Sequence, residues 1–219
     1  MVVTSIDYGS FSIPIDGRWS LEDLYRFPRA FEQVYFALDA VLPSEDEEIE
    51  ARVDRAFRAF PWQGGYSAVN FYNQLKYATK ITERPRVASI QYASPGWIEL
   101  TLYTSNALVL CFVVNRVANS IDTCNRVYNS IITDLMRRKL LKVELERSRQ
   151  GLARDEIQLI EEYSDHLTKM LGLPSSESVH FRTKSPLISL KILLSIYRRV
   201  RILAEYQTKG KADFSRDIE

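Results

Sequence analysis

Residues 86–103, RVASIQYASPGWIELTLY, carry the clearest structural signal in this sequence of 219 residues. Apolar and polar side chains alternate over residues 86–92 and again over residues 97–103, which is typical of two β-strands. Between them, Pro95 is followed by Gly96, an order that favours a type II turn in which the glycine has a positive φ. The stretch therefore predicts a β-hairpin over residues 86–103. Strict alternation places Val87, Ser89 and Gln91 on one face of the first strand and Ala88, Ile90 and Tyr92 on the other.

The sequence before the hairpin predicts a short strand followed by helices. Residues 11–15 are expected to form an edge strand, because Pro14 cannot donate a ladder hydrogen bond. Apolar residues then recur at helical spacing, beginning with Leu21 and Leu24. The predicted helical segments are residues 21–41, 44–60 and 67–81.

A long helical pattern follows the hairpin. From residue 105 onward, apolar residues step alternately by three and four positions, as in a heptad seam. A single helix over residues 105–150 would be about 68 Å long at a rise of 1.5 Å per residue. Such a helix would overhang the rest of the molecule, so its seam needs a second chain or a folded-back helix. The residues predicted to form this oligomer interface are Leu110, Val114, Val117, Ile121, Tyr128, Ile131 and Leu135.

Two further helices and a polar tail complete the predicted fold. Residues 152–171 resume the helical pattern until Gly172, and Ser185-Pro186 begins a last helix. The predicted fold class is α+β and mainly α-helical, with a small antiparallel sheet and long helices that form a hairpin or a coiled coil. The expected divisions are a compact α+β region at 1–104, a long-helix region at 105–206 and a polar tail at 207–219.

Composition excludes several classes of protein. Hydrophobic residues make up 46% of the chain and charged residues 26%, which is typical of a globular protein rather than a disordered one. The formal net charge of +1 does not indicate a strongly basic nucleic-acid binder. The N-terminus lacks the pattern of a signal peptide, and the longest apolar run is too short for a transmembrane span. We therefore expect a cytoplasmic protein with reduced cysteines.

The sequence contains no recognisable set of catalytic residues and no set of metal ligands. Cys111 lies within an apolar run and Cys124 lies on the seam, so both are expected to be buried and inert. Neither a nucleophile elbow nor a phosphate-binding glycine loop is present. Glu162 and His166 share a helix face, but a metal site needs more ligands nearby. We predict no catalytic residue, no metal and no cofactor.

Two other features allow binding functions. An aromatic cluster that includes Trp62, Tyr66, Phe71 and Tyr72 is either core or the lining of a ligand pocket. Basic residues also concentrate on two predicted helices, where they form either a solvated face or a phosphate-binding surface. The candidate phosphate-binding residues are Arg137, Arg138, Lys139, Lys142, Arg198, Arg199 and Arg201.

The stretch from Ile90 to Leu100, with its Tyr-x-Ser-Pro-Gly turn, resembles the hairpin of bacterial proteins in which an apolar helix follows the second strand. The resemblance covers residues 86–121. It implies a bacterial source and an accessory place in a defence or mobile-element locus. No activity is established for those proteins, so the resemblance assigns no functional residue.

Three functions are compatible with these features. The favoured hypothesis is a non-enzymatic interaction or scaffold protein that self-associates through its C-terminal helices or binds another helical protein. The first alternative is an effector that binds nucleic acid or a membrane surface through its basic helices. The second is a small-molecule sensor with an aromatic pocket.

Overall fold

The predicted hairpin forms the middle and one edge of a three-stranded antiparallel sheet. The computed structural model describes residues 8–41, 46–59, 66–142, 151–173 and 175–215. The strands are β1 (Tyr8–Ile15), β2 (Arg86–Gln91) and β3 (Gly96–Tyr103), in the order β1-β3-β2. The β-hairpin is therefore confirmed. The edge strand predicted at residues 11–15 is confirmed as well, and it extends back to Tyr8.

A β-bulge in β2 changes which side chains face the core. Val87 lies opposite Leu100 and Ile90 lies opposite Ile98, with the bulge between Val87 and Ser89. Directly opposed residues on antiparallel strands point to the same side of a sheet. Val87 and Ile90 therefore share the face of Ile98 and Leu100, and the alternation that separated them is wrong. The inserted residue resets the period in a way that the sequence pattern does not reveal.

The turn of the hairpin is not type II. The peptide bond between Ser94 and Pro95 is cis, and Gly96 does not have a positive φ. Glycine is needed there for a different reason. A Cβ on Gly96 would lie 2.4 Å from the carbonyl oxygen of Gln91 and 2.8 Å from the backbone of Ala93.

Helices make up most of the remaining fold, so the mainly α-helical α+β class is confirmed. Short 3-10 helices at residues 81–83 and 140–142 add to them. The α-helices in the described ranges are α1 (Leu21–Val41), α2 (Glu47–Ala59), α3 (Tyr66–Ala78), α4 (Thr104–Ala118), α5 (Ile121–Arg137), α6 (Arg154–Leu171), α7 (Glu177–Thr183) and α8 (Pro186–Thr208).

The single helix predicted from residue 105 is broken. It ends at Ala118, and α5 begins at Ile121 after a bend of 86° between the two helix axes. Asn119 and Ser120 form the break, and both are residue types whose side chains compete with helical hydrogen bonds. The seam spacing continues across the bend, so the apolar pattern alone indicates one helix. Residues 143–150, the end of the predicted helix, lie outside the described residues.

A membrane span is not found among the helices that the structure describes. No single one of them combines the necessary length and hydropathy. Only α4 and α5 taken together meet both criteria, and a sharp bend separates these two helices.

The predicted regions share one core, which is built around α8. This helix packs against α1, α4 and α6, so it joins elements from both sides of the boundary predicted at residue 104. Every residue from Leu187 to Tyr197 is buried. The tail predicted to be polar from residue 207 also contributes, because Ala212 bridges to Ile15 and the Phe214 ring packs 5.9 Å from Phe27. The last four residues of the predicted tail lie outside the described ranges.

Replacement of Gly96 tests the close approach in the turn. Gly96→Ala should lower the free energy of unfolding by about 1 kcal/mol or more, because the new Cβ would overlap the Gln91 carbonyl oxygen. Denaturant unfolding measures the change. Gly9→Ala is the matched control in β1, where the nearest atom to a new Cβ is a Thr104 methyl at 3.4 Å. Equal stability of the two variants would contradict the interpretation.

Acid should weaken the contact between the start of α1 and the end of the chain. Asp23 accepts hydrogen bonds from Lys211 Nζ at 2.8 Å, the Ser20 backbone N–H at 2.8 Å and the Tyr206 hydroxyl at 2.7 Å. The bond from Lys211, followed by that from Ser20, holds the pKa of Asp23 well below its usual range. A lowered pKa contributes stability above the unfolded pKa of about 4, and this contribution is lost as the pH falls.

The variant Asp23→Asn should therefore lose less of its free energy of unfolding than the native chain between about pH 5 and about pH 2. Denaturant titrations over that range measure the slope. Asp155→Asn, in the exposed first turn of α6, is the control and should keep the native slope. An unchanged slope for Asp23→Asn would exclude this carboxylate as a source of acid sensitivity.

Candidate functional site

The seam predicted as an oligomer interface lies inside the chain. Leu110, Val114, Val117 and Leu135 are completely buried, Ile131 and Tyr128 are nearly so, and Ile121 is half-buried. The bend between α4 and α5 turns both segments onto other helices of the same chain, so that the Tyr128 ring packs 5.0 Å from Tyr197 on α8. The folded-back helices satisfy the seam within one chain. These side chains therefore do not present a surface to a second chain.

Three of the candidate phosphate-binding residues are paired with carboxylates of their own helices. Arg137 pairs with Asp134, and Arg138 Nε lies 2.8 Å from the same carboxylate. Lys139 is exposed at the end of α5, whereas only the backbone of Lys142 is described. On α8, Arg201 lies 3.5 Å from Glu205, and Arg198 is exposed. Arg199 is different, because it lies largely beneath the surface beside Tyr72.

The aromatic cluster is mostly core where the structure describes it. Phe71 is completely buried and packs edge-to-face on Phe57 and on Tyr72, with ring centres 5.1 and 5.2 Å apart. Trp62 lies outside the described residues, and only the backbone of Tyr66 is described. Phe71 is therefore not the lining of a pocket, although one edge of Tyr72 reaches a cleft between α1 and α3.

Neither cysteine is placed for catalysis. Both are buried free thiols, on α4 and α5 respectively. Burial raises the pKa of Cys111 to about 12 and also raises the pKa of Cys124, so both remain protonated at neutral pH. Across the described ranges, no group of three or more His, Cys, Asp and Glu side chains is arranged to hold a metal ion.

The most distinctive surface is an apolar groove between α1 and β2, which we call the α1–β2 groove. It has a volume of about 380 Å³. Its walls are Leu24, Pro28 and Phe31 on one side and Val87 and Ile90 on the other, and Ile98 and Leu100 form its floor. The bulge in β2 places Val87 and Ile90 on the same face of the sheet, so both side chains line this groove.

The groove is not closed by the chain itself. Val87 is 56% exposed and Ile90 is 53% exposed, although both side chains point to the core face of the sheet. Leu21, at the start of α1, is 87% exposed, and Leu24 is 43% exposed, although both follow the helical spacing of the buried residues further along α1. Helical spacing alone does not show which turns of a helix are covered.

β2 is also an open edge. All six of its residues are exposed, and its outer side pairs with no other strand in the described part of the chain. The strand is nevertheless held in place. At the hairpin tip, the Tyr92 hydroxyl accepts a hydrogen bond from the Trp19 backbone at 3.3 Å, and Ser94 donates to Asp16.

The opposite face of the sheet has a hydrogen-bonded carboxylate near its centre. Glu99 on β3 accepts a hydrogen bond from Ser10 on β1 at 2.7 Å and from Ser89 on β2 at 2.9 Å. These two bonds hold the pKa of Glu99 below its usual range. The carboxylate therefore ties the three strands together on the face that turns away from the groove.

Comparison with models of protein families, with curated protein sequences and with solved structures gives no match to this chain. The functional interpretation therefore rests on its own geometry. That geometry contains an exposed apolar groove beside an unpaired strand edge, and each of these features is typical of surfaces that bind other chains.

The buried state of the thiols can be tested chemically. In the variant Cys124→Ala, Cys111 should react negligibly with an aromatic disulfide reagent at pH 8, because the thiol is buried and its pKa is raised. It should react fully once the chain is unfolded in guanidinium chloride. Absorbance of the released thiolate measures the reaction. Native reactivity equal to that of a free thiol would contradict the burial of Cys111.

Proposed function

We propose that the chain is a non-enzymatic protein-interaction protein that self-associates by pairing β2 with β2 of a second copy. The observation that supports this proposal is the open edge of β2 beside the α1–β2 groove. Antiparallel pairing of the two edges would give a six-stranded sheet with two-fold symmetry. The surface differs from the helical seam that the sequence suggests, because the helices bury that seam within one chain.

The side chains of β2 are self-complementary in one register. When Arg86 lies opposite Gln91 of the second copy, Val87 lies opposite Ile90, and the two symmetry-related Val87–Ile90 pairs share the face of Ile98 and Leu100. The apolar pairs would then join the two grooves into one continuous surface. Aromatic and β-branched cross-strand pairs contribute roughly 0.2–1 kcal/mol each relative to alanine pairs.

The charges of the strand do not oppose this pairing. Arg86 is the only ionisable residue of β2 and lies at its first position, so the two copies of Arg86 would be at opposite ends of the interface. Natural edge strands are commonly protected by lysine, by proline, by a β-bulge or by a covering element. β2 includes neither lysine nor proline, but it does carry the bulge between Val87 and Ser89.

Removal of apolar surface from water would supply much of the association energy. Full burial of a valine or isoleucine side chain contributes about 1.5–3 kcal/mol, and each of Val87 and Ile90 is now about half exposed. The two-fold axis doubles every such contribution. Leu21 and Leu24 lie on the rim of the same groove and extend the apolar surface that a second copy could cover.

Sedimentation velocity over the micromolar to submillimolar range tests the proposal. The native chain should form a dimer whose fraction rises with concentration, and Ile90→Lys should shift the dissociation constant by about tenfold or more toward the monomer. This variant changes an exposed residue, so the fold should be retained. Phe181→Lys on α7 is the matched control, because Phe181 is 74% exposed but lies away from the sheet.

A double variant tests the register. In Ile90→Lys/Val87→Glu, the two new charges would lie opposite each other across the interface and should recover part of the affinity lost in Ile90→Lys. A native chain that remains monomeric throughout the range would refute self-association. A dimer that Ile90→Lys leaves intact would refute β2 as its interface.

A further inference from the structure

Arg199 on α8 is the centre of a second cluster, which lies between α1, α3 and α8. Its guanidinium carbon lies 4.6 Å from the centre of the Tyr72 ring. Nε donates a hydrogen bond to the Gln33 side-chain oxygen at 3.1 Å. Nη1 donates to the carbonyl oxygen and to the hydroxyl of Ser195, at 3.1 and 3.0 Å.

All of these acceptors are neutral. In contrast, the guanidinium of Arg182 lies 2.8 Å from Glu50 and 3.0 Å from Asp54, and Arg201, one half-turn beyond Arg199, faces Glu205. Within the described residues, no carboxylate forms an ion pair with Arg199. A guanidinium that is removed from water without a counter-charge is costly, so the site favours the arrival of an anion.

The surroundings of Arg199 are positively charged. Burial lowers its pKa, and the positive charges of Arg198 and Arg29 lower it further. The Tyr72 ring provides partial compensation through its electron-rich face. A positive local field of this kind attracts anions from solution.

One edge of the guanidinium still has an unused donor. Nη2 makes no hydrogen bond to the part of the chain that the structure describes. In the planar fork of an arginine, one Nη2–H is parallel to Nε–H, so the two donors face the same way. Here that direction is toward Gln33, whose single oxygen accepts only from Nε. Such an edge fits two oxygens of one phosphate or carboxylate group.

Gln33, the acceptor of the Arg199 Nε–H, lines a cleft that Arg199 itself does not line. The cleft lies between α1 and α3 and has a volume of about 320 Å³. Arg29, Gln33, Tyr25, Tyr72 and Lys76 are among its lining residues. Glu32 also lines it, but this carboxylate is paired with Lys76 at 2.6 Å, so Arg29 keeps the entrance positive.

We propose that this cleft binds the phosphate group of a small phosphate ester. Nε and Nη2 of Arg199 would hold two phosphate oxygens after Gln33 turns aside, and Arg29 would contact a third. The aromatic ring of Tyr25 would lie beside the organic part of the ester. The cleft shares Arg29 and Glu32 with the lining of the α1–β2 groove but includes no residue of β2, so ligand binding there goes beyond the self-association proposed above.

Titration calorimetry with inorganic phosphate and with phenyl phosphate tests the proposal. Both should bind the native chain, and phenyl phosphate should bind more tightly if the organic group contacts the aromatic wall. Arg199→Gln should weaken binding by about tenfold or more, because a charge-assisted pair is lost. Arg201→Gln is the matched control on the same helix and should stay within a factor of about two of the native affinity.

A second variant keeps the test independent of folding. Gln33→Glu supplies Arg199 with a carboxylate of nearly the same shape, so it should raise the thermal midpoint without phosphate and abolish phosphate binding. Absence of binding to the native chain would overturn the proposal. Binding that survives both Arg199→Gln and Gln33→Glu would also overturn it, because the anion would then lie elsewhere.

Discussion

The first half of α8 is buried on every side, and the rest of the structure depends on this helix. α1, α4, α6 and α7 pack against it, so its apolar residues are shared by nearly every layer of the fold. Three polar residues, Ser189, Lys191 and Ser195, are also buried there. A buried polar group needs a hydrogen-bond partner. Ser189 finds Thr183 at 2.6 Å, and Ser195 accepts from Tyr72 at 3.3 Å as well as from Arg199, so these bonds place α3 and the end of α7 relative to α8.

Buried ion pairs position two further helices, α2 and α7. Arg182 on α7 is almost fully buried and binds both oxygens of Glu50, at 2.8 and 3.0 Å, and Asp54, which holds α7 against α2. Truncation of one partner of such a buried set is costly, because the other charge remains without compensation. The same chain leaves Arg199 with neutral partners only. This difference separates an arginine that stabilises the fold from one that is available to a ligand.

The sequence predicts the helices and strands better than it predicts what each of them packs against. The hairpin, the edge strand with Pro14 and the helix stop at Gly172, which has a φ of 71°, all depend on local chemistry that a short stretch contains. The bend at Asn119 and Ser120 is not visible, because the seam from Leu110 to Leu135 keeps its spacing across it. The α1–β2 groove is hidden for a similar reason. It requires a one-residue bulge and the exposed start of α1. Both depend on tertiary contacts, which the periodicity of the apolar residues does not show.

The same reasoning explains why an exposed apolar groove lies beside the sheet. The helical part of the chain closes on itself around α8, so most of its apolar residues are covered, although Leu108, Phe112 and Phe181 remain exposed. In the sheet, α4 packs on β1 and β3, whereas the apolar residues of β2 line the α1–β2 groove and remain about half exposed. A three-stranded sheet with one partly covered strand retains both an unpaired backbone edge and apolar side chains beside it. Pairing with another strand satisfies both at once, because it supplies hydrogen bonds to the edge and side chains to the groove.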